Sequence, residues 1–271
     1  MALSHTSTTA LSSAENLVKD ILSINDASQS LKSLCHQVGP DSVNNGSVAR
    51  IATPLATALS VAEGAALLAD TELTFSIADM LPHKYGNKVS YSTEWEQDSV
   101  ASARQRLAED IVRSHQRASD AVVLAAVAAS ADIPINQVAD ITTMNLDDLL
   151  LASAVLRWRG MLANVYCSSN IFNTLKSKEL AAGVLSPAGE ILGLTWIPCD
   201  LPQPTVSGDV VCLVGDIANE LVVSDAGLRV NVDAQSSAAN AISDQVSVFS
   251  YERYSLGAWG DGGGLTRIEL A

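Results

Sequence analysis

The chain has 271 residues, 48% of them hydrophobic, so it can bury the core of one large domain or of two closely joined ones. Its formal net charge is −14, and its 16 Lys and Arg residues are scattered, which argues against a nucleic-acid surface because phosphate neutralisation needs clustered cations. No apolar run reaches the roughly 18 to 20 residues that span a bilayer, and no secretory signal is evident, so we expect a soluble protein made in a cytosol.

The N-terminal segment predicts a short amphipathic helix without a domain of its own. Ser12 and Glu15 have the spacing of a capping box. Apolar residues then recur at helical intervals: Leu11, Leu17, Val18, Ile21, Leu22, Leu31 and Leu34. Such a segment could dock on a neighbouring molecule or pack as a terminal helix on the chain's own core, and the pattern favours neither.

Two strands are predicted before the longest helix. Apolar and polar residues alternate over residues 73–79 and again over 88–93, which is typical of strands with one buried face. Pro82 and Gly86 predict a turn between them. Residues 48–70 are rich in small side chains and only weakly patterned.

The longest predicted helix covers residues 98–130, which contain neither Pro nor Gly. At about 1.5 Å per residue it would be roughly 45 Å long, so it can serve as a spine. Asp98 and Ser99 are candidate N-caps. Its predicted buried stripe consists of Val100, Ala103, Leu107, Ile111, Ala118, Val122 and Ala125. Residues 118–129 are apolar nearly all round, which predicts full enclosure there.

The second half of the chain changes from helices to strands. Helices are predicted at residues 144–158 and 170–180, the latter ended by Gly183. Strands are predicted at residues 191–197, 210–214, 219–223, 228–233, 246–254 and 265–270. The sequence GDGGG at residues 260–264 predicts a flexible turn. Helices and strands interleave without a long linker, which indicates an α+β fold.

Glycine-rich and acidic segments offer no catalytic pattern. GDGGG precedes a strand and lacks the Lys and Ser/Thr of a phosphate loop, so a turn is the better interpretation. Glu94, Glu96 and Asp98 form an acidic group that we interpret as favourable charge near a helix N-terminus, and Asp147 and Asp148 follow the same logic.

Cysteine and histidine spacing also gives no metal signature. The four cysteines are far apart, which predicts buried free thiols: Cys35, Cys167, Cys199 and Cys212. His5, His36, His83 and His115 are equally dispersed, so a zinc site is not expected. We therefore predict no catalytic, cofactor-binding or metal-binding residues and no enzyme activity.

The order of segments nevertheless resembles the HK97-like major capsid proteins of tailed bacteriophages. The segments that carry the resemblance are Glu63–Leu67, Phe75–Ser99 (with Val89, Ser92, Glu94, Asp98 and Ser99), Asp120–Ala126, Leu192–Pro198, Leu201–Pro202, Gly208–Asp209 and Val248–Tyr254. Each segment alone is weakly specific, whereas their order and spacing together are more so. The resemblance covers roughly residues 48–271.

This resemblance implies an HK97-like capsid fold with a long spine helix. Its parts would be an N-terminal arm (1–47), an extended loop (48–74), a peripheral domain (75–131) that contains the spine helix 98–130, and an axial domain with returning peripheral strands (132–271). The first 45 residues would then lie on a neighbouring subunit, because their apolar stripe is too small to form a core.

The implied function is a major capsid protein that assembles into the icosahedral shell of a phage double-stranded DNA genome. Its implied partner is itself, in pentamers and hexamers, with portal, scaffolding and decoration proteins as further partners. It would enclose DNA without sequence-specific binding, in a virion, and without a membrane. Two alternatives remain: an encapsulin-like nanocompartment shell protein, and a small enzyme of unidentified chemistry.

Overall fold

The computed structural model describes residues 16–25, 30–39, 47–51, 75–92, 101–140, 143–156, 164–199, 204–234, 245–258, 260 and 262–271. Within these ranges the helices are α1 (16–25), α2 (Leu31–Leu34), α3 (Ala101–Ala129), α4 (Leu146–Val155) and α5 (Ser169–Ala181), with a 3-10 turn at Ile217–Asn219. None of these helices is long and apolar enough to cross a membrane.

The strands found in the same ranges are β1 (His36–Val38), β2 (Ser47–Ile51), β3 (Phe75–Asp79), β4 (Leu81–Ser92), β5 (Ile135–Val138), β6 (Asn164–Cys167), β7 (Glu190–Ile191), β8 (Leu194–Pro198), β9 (Val210–Gly215), β10 (Leu221–Ala234), β11 (Gln245–Ala258) and β12 (Leu265–Leu270). They form a four-stranded sheet of order β1-β10-β11-β4, a six-stranded sheet of order β5-β12-β9-β6-β8-β7, and the pair β2-β3. The predicted α+β class is confirmed.

Three apolar clusters fill the space between these elements. α3 contributes Ile111 to a cluster with α1 and the four-stranded sheet, and Val123 and Val127 to a second cluster with β9 and β11. The third cluster lies between the six-stranded sheet and helices α4 and α5. Because α3 takes part in two of the clusters, it joins the two halves of the molecule.

The predicted spine helix is confirmed over 29 residues, which is about 44 Å at about 1.5 Å per residue. Residues 98–100, with the proposed caps, lie outside the described residues. Ile111 is buried as predicted, but Ala125, Ala128 and Ala129 are exposed, so residues 118–129 are not enclosed on all sides. The buried side instead includes Ser119 and Asp120, because these polar groups have partners inside.

The strand β4 is longer than predicted and includes the expected turn. It pairs antiparallel with β11 from Leu81 opposite Leu256 to Ser92 opposite Gln245, so Pro82 and Gly86 lie inside the strand. β4 is an edge strand of its sheet. An edge position tolerates proline because the missing N–H is not needed for a second neighbour.

The described part of the N-terminal segment packs on the chain's own core. Leu17 and Ile21 of α1 are 1% and 0% exposed and contact the cluster that contains Ile111 and Val248. β1 continues this attachment by pairing in parallel with β10. This packing differs from the expected arm on a neighbour, because the stripe of α1 completes a core that α3 and the sheet leave open.

In the second half, most predicted elements occur with shifted ends, but the predicted strand 191–197 is wrong: Leu192 and Gly193, at positive φ, form a turn between the antiparallel strands β7 and β8. α4 covers the middle of the predicted 144–158, and α5 covers 170–180 with one more residue at each end. The predicted strands 219–223 and 228–233 are one strand, β10, whose register shifts between Asp225 and Leu228. A bulge therefore lies where the residue pattern had indicated a break.

Candidate functional site

Buried polar side chains meet at three places where segments distant in sequence join. We call them the lysine cluster (Lys32, His115, Asp225, Ser250 and Glu252), the glycine collar (Glu220 with residues 260–264) and the arginine clamp (Arg267 with the end of α3). None of the three was predicted from the sequence. The sequence did not indicate them because residues that meet in space are distant along the chain. Lys32 and Glu252, for example, are 220 positions apart.

The lysine cluster fixes the N-terminal segment to the four-stranded sheet. The Lys32 ammonium donates to Asp225 Oδ2 at 2.5 Å and to Glu252 Oε1, and it lies 5.1 Å from the centre of the Tyr254 ring. The Lys32 side chain is 9% exposed and that of Glu252 is 6% exposed. Removing both charges from water costs free energy, and their mutual attraction offsets that cost. Loss of either side chain would leave the other charge buried with less compensation.

His115 of α3 extends this cluster towards the spine. Its Nε2 lies 2.8 Å from the Ser250 hydroxyl and its Nδ1 lies 3.7 Å from Glu252 Oε2. One turn further along α3, the Asp120 carboxylate accepts a hydrogen bond of 2.8 Å from the Leu31 backbone N–H. α3 thus holds the N-terminal segment through polar contacts as well as through apolar packing.

The Glu252 carboxyl carries the clearest electrostatic signature of the cluster. Burial acts against its charged form, but the nearby His115 ring and the ammonium group of Lys32 outweigh burial and lower its pKa. A cavity of about 100 Å³ lies beside it, lined by polar side chains that include Asn25 and Gln116. The cluster is therefore an ionised junction beside a polar cavity rather than an apolar contact.

The glycine collar replaces the flexible turn that GDGGG predicted. The carboxylate of Glu220, 3% exposed, accepts backbone N–H groups of Gly262 at 2.9 Å and Gly264 at 2.7 Å. Gly260 donates its N–H to the Glu220 carbonyl at 3.2 Å. The described residues of this turn are buried or half-buried, so the turn is an anion-binding loop whose anion is the chain's own glutamate.

Glycine is required in the collar by close backbone approach. A Cβ at Gly262 would lie 1.7 Å from the carbonyl oxygen of Asp132, and the residue has a φ of 78°. At Gly260 a Cβ would lie 2.1 Å from Glu220 Oε2. The glycines therefore let the chain wrap the Glu220 carboxylate against the segment that follows α3.

The arginine clamp connects the six-stranded sheet to the C-terminal end of α3. Nη1 of Arg267, on β12, donates to the carbonyl oxygens of Val127 at 2.6 Å and Ala128 at 2.7 Å. Its Nε lies 2.8 Å from Glu269 Oε1. The last carbonyls of a helix have no partners within the helix and carry partial negative charge, so a buried guanidinium there satisfies both needs.

Another buried carboxylate organises the loop after α5. Glu179 is 0% exposed and accepts from Lys176 Nζ at 2.6 Å and from the Leu192 N–H at 2.9 Å. Burial opposes its charge, but these donors and the Ser186 hydroxyl lower its pKa. The loop between α5 and β8 is held in one shape, with Leu192 in a left-handed conformation at a φ of 53°.

Most residues singled out from the sequence lie apart, although Cys167, Cys199 and Cys212 lie close together where β6 adjoins β8 and β9. The four cysteines are buried free thiols, as predicted, and burial raises the pKa of Cys35 and of Cys167 to about 12. Asp148 accepts the Asn145 N–H at 2.7 Å at the start of α4, which confirms its helix-terminal role. Glu94, Glu96 and Asp98 lie outside the described residues.

These junctions hold distant segments of the chain together. In the ranges that the structure describes, no group of three or more His, Cys, Asp or Glu side chains could hold a metal ion. The charges of the lysine cluster, the collar and the clamp are all directed at the chain's own backbone and side chains. Together they fasten the N-terminal segment, α3 and both sheets into one body.

Comparison with known proteins gives a structural match only. No family model and no curated protein sequence matches the chain. A solved capsid of a native GTA particle, computed with C5 symmetry, is 15% identical with a TM-score of 0.63, over 89% of this chain and 90% of that one. A chain of Mycobacterium phage Bobi is 14% identical with a TM-score of 0.62, over 88% of this chain and 89% of that one.

A third similar structure is another phage capsid. The capsid of the cyanophage P-SCSP1u is 11% identical with a TM-score of 0.61, over 88% of this chain and 86% of its own. At such identities the similarity concerns the fold, and it extends over nearly the whole length of each chain.

Proposed function

We propose that this chain, which has the HK97-like fold of phage capsid subunits, is a major capsid protein that assembles into the icosahedral shell of a tailed bacteriophage. The observation that carries the proposal is the match over 89% of the chain to the capsid of a native GTA particle. The shell would enclose double-stranded DNA in a virion, and the role would be structural rather than catalytic.

The two sheets suggest how the subunit is divided. The peripheral domain would consist of α3 with the four-stranded sheet, and the axial domain of the six-stranded sheet with α4 and α5. The antiparallel pairing of β2 with β3 places Ile51 opposite Phe75, as it would if the proposed extended loop over residues 48–74 began and ended side by side. Portal, scaffolding and decoration proteins would be the further partners.

The buried junctions support this role physically. A shell of many copies closes only if each copy keeps a fixed angle between its contact surfaces. The lysine cluster, the collar and the clamp fasten segments from both ends of the chain around α3. A rigid subunit of this kind suits a shell better than a hinged one.

Assembly of the purified protein is the direct test. Negative-stain microscopy should show closed particles of uniform diameter built from pentamers and hexamers. Light scattering across ionic conditions, with and without co-expressed scaffolding protein, should follow their formation. A protein that stays monomeric in every one of these conditions would contradict the proposed function.

A further inference from the structure

One side of the four-stranded sheet gathers cations that are far apart in sequence. Val248 and Glu252 of β11 are buried on the side of α3, so the alternating residues of the same strand point to the opposite side. The exposed cations there are Lys84 and Lys88 of β4, Arg229 of β10 and Arg253 of β11. We call this surface the cationic sheet face.

The register brings like charges together on this face. Lys84 lies directly opposite Arg253, and Arg229 lies opposite Tyr251 in the middle strand. Like charges directly opposite each other in an antiparallel pair are destabilising. Within the described ranges no carboxylate forms an ion pair with these four cations.

Aromatic rings lie between these cations and shape a shallow depression. The Lys84 ammonium is 5.9 Å from the centre of the Tyr251 ring, and that of Lys88 is 5.3 Å from the centre of the Phe249 ring. The depression has a volume of about 300 Å³, and Gly86 leaves its floor open. The rings hold the ammonium groups on the surface while leaving them accessible.

We infer that the cationic sheet face receives the acidic surface of a second copy of this chain. The inference rests on the proposed function and adds the surface through which copies attract each other. Each copy carries a net charge of −14, so two copies repel unless the surfaces that meet are locally complementary. A cationic patch on one copy against an acidic surface on the next makes a head-to-tail contact, the type that closes into rings.

A nucleic-acid duplex matches the face less well. Lys84 and Lys88 are four residues apart, about 13 Å along a strand at about 3.3 Å per residue. That distance is shorter than the roughly 34 Å of one DNA turn, so only a few phosphates could be neutralised. The remaining surface of a chain with charge −14 would repel the rest of the duplex.

The test replaces the two lysines and measures assembly. We would compare native protein with Lys84→Gln/Lys88→Gln and with Arg106→Gln/Arg113→Gln, which makes the same charge change on exposed positions of α3. Lys84→Arg/Lys88→Arg keeps the charge and tests whether charge is what matters. Thermal melting first establishes that all variants fold, and anisotropy of a labelled random duplex measures DNA binding.

We expect the glutamine pair on the sheet to raise the protein concentration needed for particles by about tenfold or more, with the arginine pair restoring it. Native assembly should also weaken above roughly 0.3 M salt, because screening shortens electrostatic attraction. Equal loss in the α3 control would overturn the inference in favour of net charge alone. Normal assembly of the Lys84→Gln/Lys88→Gln variant would also overturn the inference, even if that variant no longer binds DNA. If native protein forms no particles at all, the proposed function fails instead.

Discussion

Gly262 illustrates how closely a single backbone position is constrained in this molecule. It lies in the collar with a φ of 78°, and a Cβ there would meet the Asp132 carbonyl at 1.7 Å. Gly227 has a nearly identical φ of 77°, but nothing lies within 4 Å of its Cβ position. Alanine substitutions at the two positions therefore distinguish the cost of the left-handed backbone conformation from the cost of a steric clash.

We predict that Gly262→Ala destabilises the subunit far more than Gly227→Ala. The Gly227 variant should cost about 1 kcal/mol, the price of a side chain in the left-handed region. The Gly262 variant should cost more than about 3 kcal/mol, since the collar must also shift away from Asp132. Urea denaturation measures both. Equal losses would show that the close approach to Asp132 does not constrain the collar.

The Glu252 carboxyl makes stability depend on pH. Its pKa is lowered in the folded chain, so its contribution is fully present above the ordinary glutamate pKa of about 4.3 and is lost as pH falls through the folded value. Glu252→Gln should destabilise by about 3 kcal/mol at neutral pH because the buried Lys32 ammonium loses one of its two carboxylate partners. The difference from native protein should shrink below about pH 4.3. A difference that is constant across that range, measured by urea titration at each pH, would rule out this linkage.

At the scale of elements, the spine helix tests the assignment of buried faces. Ile111 is 3% exposed, as its place in the predicted buried stripe required, and Val89 of β4 packs against its cluster. We predict that Ile111→Asp abolishes soluble protein, because an unpaired buried carboxylate costs several kcal/mol against a total stability of about 5 to 15.

Arg106→Asp on the exposed side of α3 is the control for the spine prediction. It should leave folding intact, since an exposed charge contributes about 0 to 1 kcal/mol. Soluble yield and circular dichroism of the two variants provide the comparison. Normal folding of the Ile111 variant would mean that this side of α3 is not buried.

The N-terminal helix α1 now predicts a loss of subunit stability when its apolar side is truncated. Ile21→Ala should cost about 2 to 5 kcal/mol, because it leaves a cavity beside Ala108 and Ile111. Leu22→Ala, at a neighbouring position that is 38% exposed, should cost much less. Thermal melting of the two variants decides the matter. If Ile21→Ala left the melting temperature unchanged but impaired assembly, α1 would be an arm after all.

The elements that could be predicted are those whose signal is local. The spine helix, β12 and α5 follow from periodicity within a few turns or residues. Pro82 and Gly86 led to a wrong prediction of a turn. The strand β4 tolerates them because it lies at the edge of its sheet, and that position is known only from the complete sheet. The lysine cluster was not predictable, since an isolated Lys32 or Glu252 in a sequence does not indicate its partner.

At the scale of the whole molecule, α3 is one of the described elements that contact both halves. Its first half packs under the four-stranded sheet, and its end is held by Arg267 of the six-stranded sheet. In the proposed shell, the charge of −14 would make copies repel, so closure would depend on subunit shape as much as on attraction. The contact of Arg267 with the C-terminal end of α3 is the one that would set the angle between the two sheets.

We predict that Arg267→Gln leaves the subunit folded but broadens the size distribution of its particles. The variant loses the buried charge that holds the carbonyls of Val127, Ala128 and Ser130, so the six-stranded sheet can tilt relative to α3. A small angular error repeated over many copies prevents uniform closure. Electron microscopy should show mixed diameters and open shells, whereas the exposed substitution Arg113→Gln should give uniform particles. Uniform particles from Arg267→Gln, at native yield, would mean that the clamp does not set the geometry of the shell.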